Sequence, residues 1–353
     1  MSVDDQKDAE DRRWESFRAL NIDHAKLRPL IDRLNADLIA AQGGFPAFAA
    51  IADLRQRAVC SDLVYSSAES VAANLVEARL HSDAVAQCIG ATGIAMPMIT
   101  GTAEEQLLPI HIQKDIAGFF RALGSTLDCL AACAIGVLAI PRSIQAADIS
   151  DLDQQLPGLR ASPSNQTPSQ VEAWDGLLTI LANAKRKPDD WYDWALSMRN
   201  ALIHRARAMT INMPRGRGDD LVIATADPSA FQRFDVYVRA QPLHTEMEEM
   251  IDIPTLRQTV LEEPVTSTLA GVHLLLSSLV EDVSDHLLTV WLDARGGTAS
   301  FPMPVAKWSV KPRTFVFRGV APVTPISATS VNLNPRDAKR ADLANEVKRR
   351  VGK

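Results

Sequence analysis

Two long stretches of apolar residues at helical spacing decide what this chain folds into. From about Glu104 to Ile140, the residues Ile116, Phe119, Phe120, Leu123, Leu127, Leu130, Ala134, Val137 and Leu138 form a wide apolar face. Gly118, Gly124 and Gly136 on that segment permit close helix contact. A break or bend is expected near Pro109 and a stop at Pro141. From Thr255 to Ala294, interrupted near Pro264, Val265, Leu269, Val272, Leu276, Leu279, Val283, Leu287 and Val290 make the longest stripe in the chain. The first segment belongs at the centre of a bundle, and the second should close it. The expected fold class is therefore mainly α: a helical bundle with additional N-terminal helices and small β-hairpin appendages.

The remaining elements fit around this pair. Residues 1 to about 20 are charged, either frayed or a short helix. An amphipathic helix is expected over Asp23–Gln42, ended by Gly43-Gly44 and Pro46, with further helices at Phe48–Arg57 and Ala68–Cys88. Residues 143 to 168 read as a long polar loop and Ser169–Ala184 as a helix, its Val171, Trp174, Leu178 and Leu181 facing inward. Leu221–Ala226 and Phe234–Arg239 alternate as strands, and Phe301 to Val323 reads as a short strand pair. The tail from Pro335 reads as a polar helix with seven basic and three acidic residues. Three regions follow: an N-terminal helical region (1–103), a bundle with a β insert at about 220–240 (104–295), and a short β segment with a basic helical tail (296–353).

Composition narrows the function classes. The chain has 353 residues, 46% hydrophobic and 23% charged, as a globular protein does. A net charge of −6 argues against a protein that coats nucleic acid non-specifically, but leaves room for a local basic site. Cys60, Cys88, Cys129 and Cys133 contain no C-x-x-C pair. The acidic N-terminus cannot be a signal peptide, and the most apolar run, Cys129 to Ile140, is short of a bilayer span. A cytoplasmic location is expected.

Chemistry concentrates in one helix. Pro188-Asp189-Asp190 supplies a stop and an N-cap, and Asp193 suits the positive end of the dipole. Trp191, Trp194, Ala195, Met198, Leu202 and Met209 then make an apolar stripe. At about 100° per residue, Arg199, Asn200, Ile203, His204 and Arg207 share an arc of roughly 140° almost opposite that stripe. An apolar Ile203 amid those polar groups suggests a cleft or a partner. Arg199, Arg205, Arg207, Arg215 and Arg217 fall in a window with no acidic residue until Asp219, so the local charge suits a phosphate backbone. Asp128, the charge in the middle of the central helix, has two readings: a carboxylate that orients Arg199 or His204, or a solvent-edge residue.

The run Arg199-Asn200-Ala201-Leu202-Ile203-His204 resembles the R-N-x-x-x-H signature of the HEPN superfamily, helical-bundle domains many of which are metal-independent ribonucleases acting as toxins or in defence. The resemblance covers mainly this helix. It implies cleavage of RNA by the adjacent 2′-OH, leaving a 2′,3′-cyclic phosphate and a 5′-hydroxyl. His204 would act as acid and base, Arg199 would stabilise the phosphate, and Asn200 would support either. Arg205, Arg207, Arg215 and Arg217 would hold the RNA. One imidazole does not easily serve both sides of phosphorus, so the resemblance also implies a homodimer that pairs two motif helices. A separate antitoxin or partner protein would control such a toxin.

Two other readings stand beside it: a HEPN-like module that binds RNA or a nucleotide without cutting, and a helical interaction protein in which the motif is accidental. No Walker A loop, dinucleotide fingerprint, zincin motif or nucleophile elbow is present, and neither a metal nor a cofactor is expected. His244, Glu246, Glu248 and Glu249 match no ligand spacing and read as a solvated acidic edge. His273 and His286 read as structural.

Overall fold

The computed structural model describes residues 25–92, 103–162, 166–186, 190–204, 210–214, 234–240, 260–295, 303–304, 307–308 and 335–352. The protein is mainly α, with helices packed as bundles and one small antiparallel sheet. Helix α1 spans 25–37, α2 Leu54–Thr92, α3 Ala103–Val137, α4 Leu156–Ala161, α5 Pro168–Arg186 and α6 Trp191–His204. Strands β1 (Thr210–Pro214), β2 (Phe234–Arg239) and β3 (Val260–Pro264) follow, then α7 (Val265–Arg295) and α8 (Pro335–Val351). Two compact units divide the chain. The first holds Met1–Leu27, Ser70–Leu127 and Thr179–Val283; the second holds Arg28–Glu69, Asp128–Leu178 and Ser284–Lys353.

Several elements depart from the sequence expectation for identifiable reasons. The two helices expected at Phe48–Arg57 and Ala68–Cys88 are one continuous α2 from Leu54. Cys60, Val64, Tyr65, Ala68, Val71 and Ala72 are all buried, so packing carries the helix through the polar Ser66-Ser67. The loop expected at 143 to 168 contains a 3₁₀ turn at Ile144–Ala146, a π turn at Asp151–Gln155 and α4. Buried Ile144, Ile149, Leu152 and Leu156 anchor it. The helix expected from Thr255 instead begins at Val265, because Val260–Pro264 pairs with β2 as an edge strand, where a proline is tolerated. The expected strand Leu221–Ala226 and most of Phe301–Val323 lie outside the described residues.

In the first unit the sheet order is β1-β2-β3, with Val236 and Val238 of β2 buried. A register shift between Tyr237 and Arg239 breaks the alternation, so Arg239 is buried directly after Val238. Burial pushes its guanidinium down to about 10.

In the second unit the C-terminus of α3 is closed by side chains. The carbonyls of the three residues just past Val137 have no helical donor to meet them. Trp174 Nε1 donates to Leu138 O at 3.0 Å, Gln170 Nε2 to Ala139 O at 3.1 Å and Trp308 Nε1 to Ile140 O at 3.2 Å. Ala139 adopts φ 49°, and the Ile140 amide reaches back to Ile135 O at 3.0 Å, which turns the chain into Pro141. Beside this cap, Phe45, Phe48, Trp291 and Trp308 pack edge-on or tilted at 5.0–6.1 Å. Trp291 Nε1 donates to Asp37 Oδ2 at 2.7 Å, and Arg33 Nε donates to the same oxygen at 3.1 Å. The basic tail expected from Pro335 is α8, whose cations tie it down: Arg340 grips Asp62 through two bonds of 2.6 and 3.1 Å, Lys339 donates to Asn35 O, and Arg350 Nη2 to Ala41 O at 2.6 Å.

Ile110–Val137 is, among the described residues, long and apolar enough in composition to cross a membrane, and its most apolar stretch is mostly buried within the protein. It is longer than the Cys129–Ile140 run that the sequence brought forward.

Two outcomes follow. Asp37→Ala strands the Trp291 N–H and an arginine beside it, and is expected to lower the unfolding free energy by about 1–3 kcal/mol in urea titration. Asp37→Asn keeps an acceptor oxygen and should cost less. Burial pushes the thiols of Cys60 and Cys133 up to about 11 and about 12. Their contribution is intact below the ordinary thiol value of 9.0 and is lost as pH rises toward those values. The urea midpoint should therefore fall as pH rises from 9.0 toward about 11, and the fall should be shallower in Cys133→Ala.

Candidate functional site

The motif helix α6 starts from Asp190, whose carbonyl accepts the Trp194 amide at 2.9 Å with the aspartate itself at φ 59°. Its entry is fixed by Trp191 Nε1, which donates to Ala184 O at the end of α5 at 2.7 Å, and by Lys185 Nζ, 5.2 Å above the Tyr192 ring. Trp191, Tyr192, Ala195 and Met198 are buried, and the Trp194 ring meets Phe120 of α3 edge-on at 5.5 Å. Tyr192 was missing from the apolar stripe read in the sequence, and including it shifts the stripe. With Ala195 as centre, Tyr192 and Arg199 fall about 60° and 40° to one side and Met198 about 60° to the other. Arg199, at the edge of the polar arc, therefore borders the buried face.

The structure explains how an arginine can sit there. Arg199 is half-buried, and its stem passes over Gly124 of α3: a methyl built on Gly124 would stand 2.5 Å from Nε, 2.8 Å from Cγ and 3.0 Å from Cδ. Its Nη1 donates to Oδ1 of the exposed Asn200 at 3.3 Å, so these two motif residues are brought together. His204 is the last residue of α6. The His204 side chain lies outside the described residues, as do Arg205, Arg207, Arg215 and Arg217. The acidic edge of His244, Glu246, Glu248 and Glu249 lies outside them too. Asp128 is half-buried in the second unit, where its carboxylate accepts the Ile149 amide at 3.1 Å. Arg199 belongs to the first.

Inside the first unit a second polar pair escaped the sequence reading. Asp115 of α3 is 7% exposed, and its Oδ1 accepts Nδ1–H of His81 on α2 at 3.0 Å. Lys114 Nζ lies 3.3 Å from the same oxygen, and Glu77 Oε1 is 3.8 Å from His81 Nε2. The buried carboxylate fixes the tautomer and orientation of the ring. The available signal is the apolar face itself: Asp115 directly precedes Ile116, so it is a second carboxylate, beside Asp128, on the central helix. The His81 ring lies on Gly118, where a methyl would stand 2.4 Å from Cε1 and Nε2. His273 Nε2 donates to Leu75 O at 3.2 Å, and in the second unit His286 Nε2 donates to Ala173 O at 2.8 Å, each joining two helices. Among the described residues, no three His, Cys, Asp or Glu side chains are grouped to hold a metal ion.

No family model, curated protein or solved structure matches this chain.

The glycine under His81 gives a direct test. Gly118→Ala gains about 1 kcal/mol of helix propensity but forces the imidazole off its place, and overpacking of this kind costs about 1–3 kcal/mol. Net destabilisation is expected in chemical denaturation. A stabilised variant would show that the ring yields freely.

Proposed function

We propose that this protein is a HEPN-type endoribonuclease that cleaves RNA through the adjacent 2′-OH, with Arg199 stabilising the charge on phosphorus, Asn200 supporting it and His204 moving the proton. The motif R-N-x-x-x-H on a helix of a mainly-α protein supports this reading. The observation that carries it is the Arg199–Asn200 arrangement: a half-buried guanidinium held at 3.3 Å from a carboxamide that is itself exposed to solvent. Partial burial strengthens the attraction of a guanidinium for a phosphate, and the planar fork matches two phosphate oxygens. Imidazole at position 204 is the residue type whose ordinary pKa lies nearest working pH. In this reading two copies pair their motif helices, supplying a second imidazole for the leaving oxygen. Arg205, Arg207, Arg215 and Arg217 extend the contact along the RNA backbone. A toxin or defence role, with a separate protein partner holding the activity in check, belongs to the same proposal.

Incubation of the purified chain with mixed RNA in EDTA, beside His204→Ala and with end-group analysis, tests it. Cleavage by the parent leaving 2′,3′-cyclic phosphates is expected, with a loss of about 10²–10⁴-fold in His204→Ala. RNA bound but uncut by the parent would indicate a binding module. Neither binding nor cleavage would leave a helical interaction protein.

A further inference from the structure

We infer that Gly124 of α3 is a positioning residue for Arg199, the bare seat that sets where the guanidinium meets a phosphate. The phosphate half of this inference rests on the ribonuclease reading; the seat itself rests on geometry. Two atoms of the arginine stem, Nε and Cγ, would lie 2.5 and 2.8 Å from a Cβ at position 124, closer than real Cβ contacts allow, and Cδ would lie at 3.0 Å. Nor can α6 back away from α3 to make room. Four residues before Gly124, Phe120 meets Trp194 of α6 edge-on at 5.5 Å, and Ala195 and Met198 of α6 are themselves buried. Any side chain at 124 therefore displaces the arginine stem, and with it the Nη1 bond to Asn200 Oδ1. Glycine is the poorest helix former after proline, so its place in the middle of a long buried helix needs a reason, and the Arg199 stem supplies one. A seated stem also loses less side-chain freedom when the fork engages an anion.

The test is a cycle of four full-length proteins: the parent, Gly124→Ala, Arg199→Ala and the double variant. In the parent background Gly124→Ala should lower the melting temperature. In the Arg199→Ala background, with Cγ, Cδ and Nε gone, the same change should raise it, because only the better helix propensity of alanine remains. In RNA cleavage by the folded proteins, Gly124→Ala should lower kcat by about a hundredfold with KM nearly unchanged, as a misplaced group does and a merely loosened fold does not. A melting shift of the same sign in both backgrounds overturns the seat. A sign reversal with parental kcat in Gly124→Ala overturns the positioning role. A parent that does not cleave RNA ends the ribonuclease reading and the catalytic half of this inference, whereas the sign of the melting shifts decides the seat independently.

Discussion

Close approach to the surface of α3 is the constraint on which the rest depends. An α-helix normally keeps its neighbours at a distance set by its side chains, about 8–10 Å between axes. Gly118 and Gly124 in the first unit remove that spacer where an imidazole and an arginine stem come down onto the helix. Gly136 does the same in the second unit, where a methyl would stand 2.1 Å from Cγ2 of Val64. Each glycine costs helix stability relative to alanine. That cost is offset by what is let in, and in the first unit both guests are polar side chains with an apolar or aliphatic flank. Carrying Arg199 and His81 on α3 thus follows from leaving out two Cβ atoms.

The second unit obeys a different rule, the satisfaction of buried donors. Three indoles there, Trp174, Trp291 and Trp308, bury their rings, and each finds an acceptor for its N–H within 3.2 Å. Two of those acceptors are carbonyls just past the end of α3, so the same bonds that place the aromatic rings also terminate the helix. The third is Asp37, whose 1% exposure is tolerable because one oxygen takes both the indole and Arg33. Removing an acceptor costs more than any single van der Waals contact in this cluster, since a buried unpaired donor loses water without compensation.

How much of this was legible in the residues depends on range. The helices α3, α5, α6 and α7 are written in local periodicity, and Pro141 was a readable stop because its backbone preference is intrinsic. The helix expected over Asp23–Gln42, by contrast, ends already at residue 37, and Gly43 caps a separate 3₁₀ turn at Ala40–Gln42. The continuity of α2 was not legible: Ser66-Ser67 looks like a break, and only tertiary burial of the residues around it carries the helix across. Strand β3 was hidden for a similar reason, since Leu261, Glu262 and Glu263 are good helix formers and become part of a strand through pairing with β2. At the candidate site the motif residues could be named, and the three glycines of α3 could be marked for close contact, but not their occupants. Tyr192 was the decisive omission. It is 1% exposed, and its burial rotates the inward face toward Arg199.

Charge distribution bears on where an anion could be recognised at all. The chain is acidic overall, so a polyanion gains nothing from the global field and is drawn only by local cations whose charge is not already matched. The most basic described element, α8, is poorly suited to that role: Arg340 is held in a two-bond pair with Asp62, Arg349 and Arg350 share Glu346, and Lys339 and Arg350 also cap backbone carbonyls of the second unit. A cation that gives up such bonds to reach a phosphate trades one charge-assisted contact for another and gains little. Arg199 is placed differently: its stem is half-buried and its Nη1 donates to the neutral carboxamide of the exposed Asn200 at 3.3 Å, which sets the guanidinium at the solvent edge of α6.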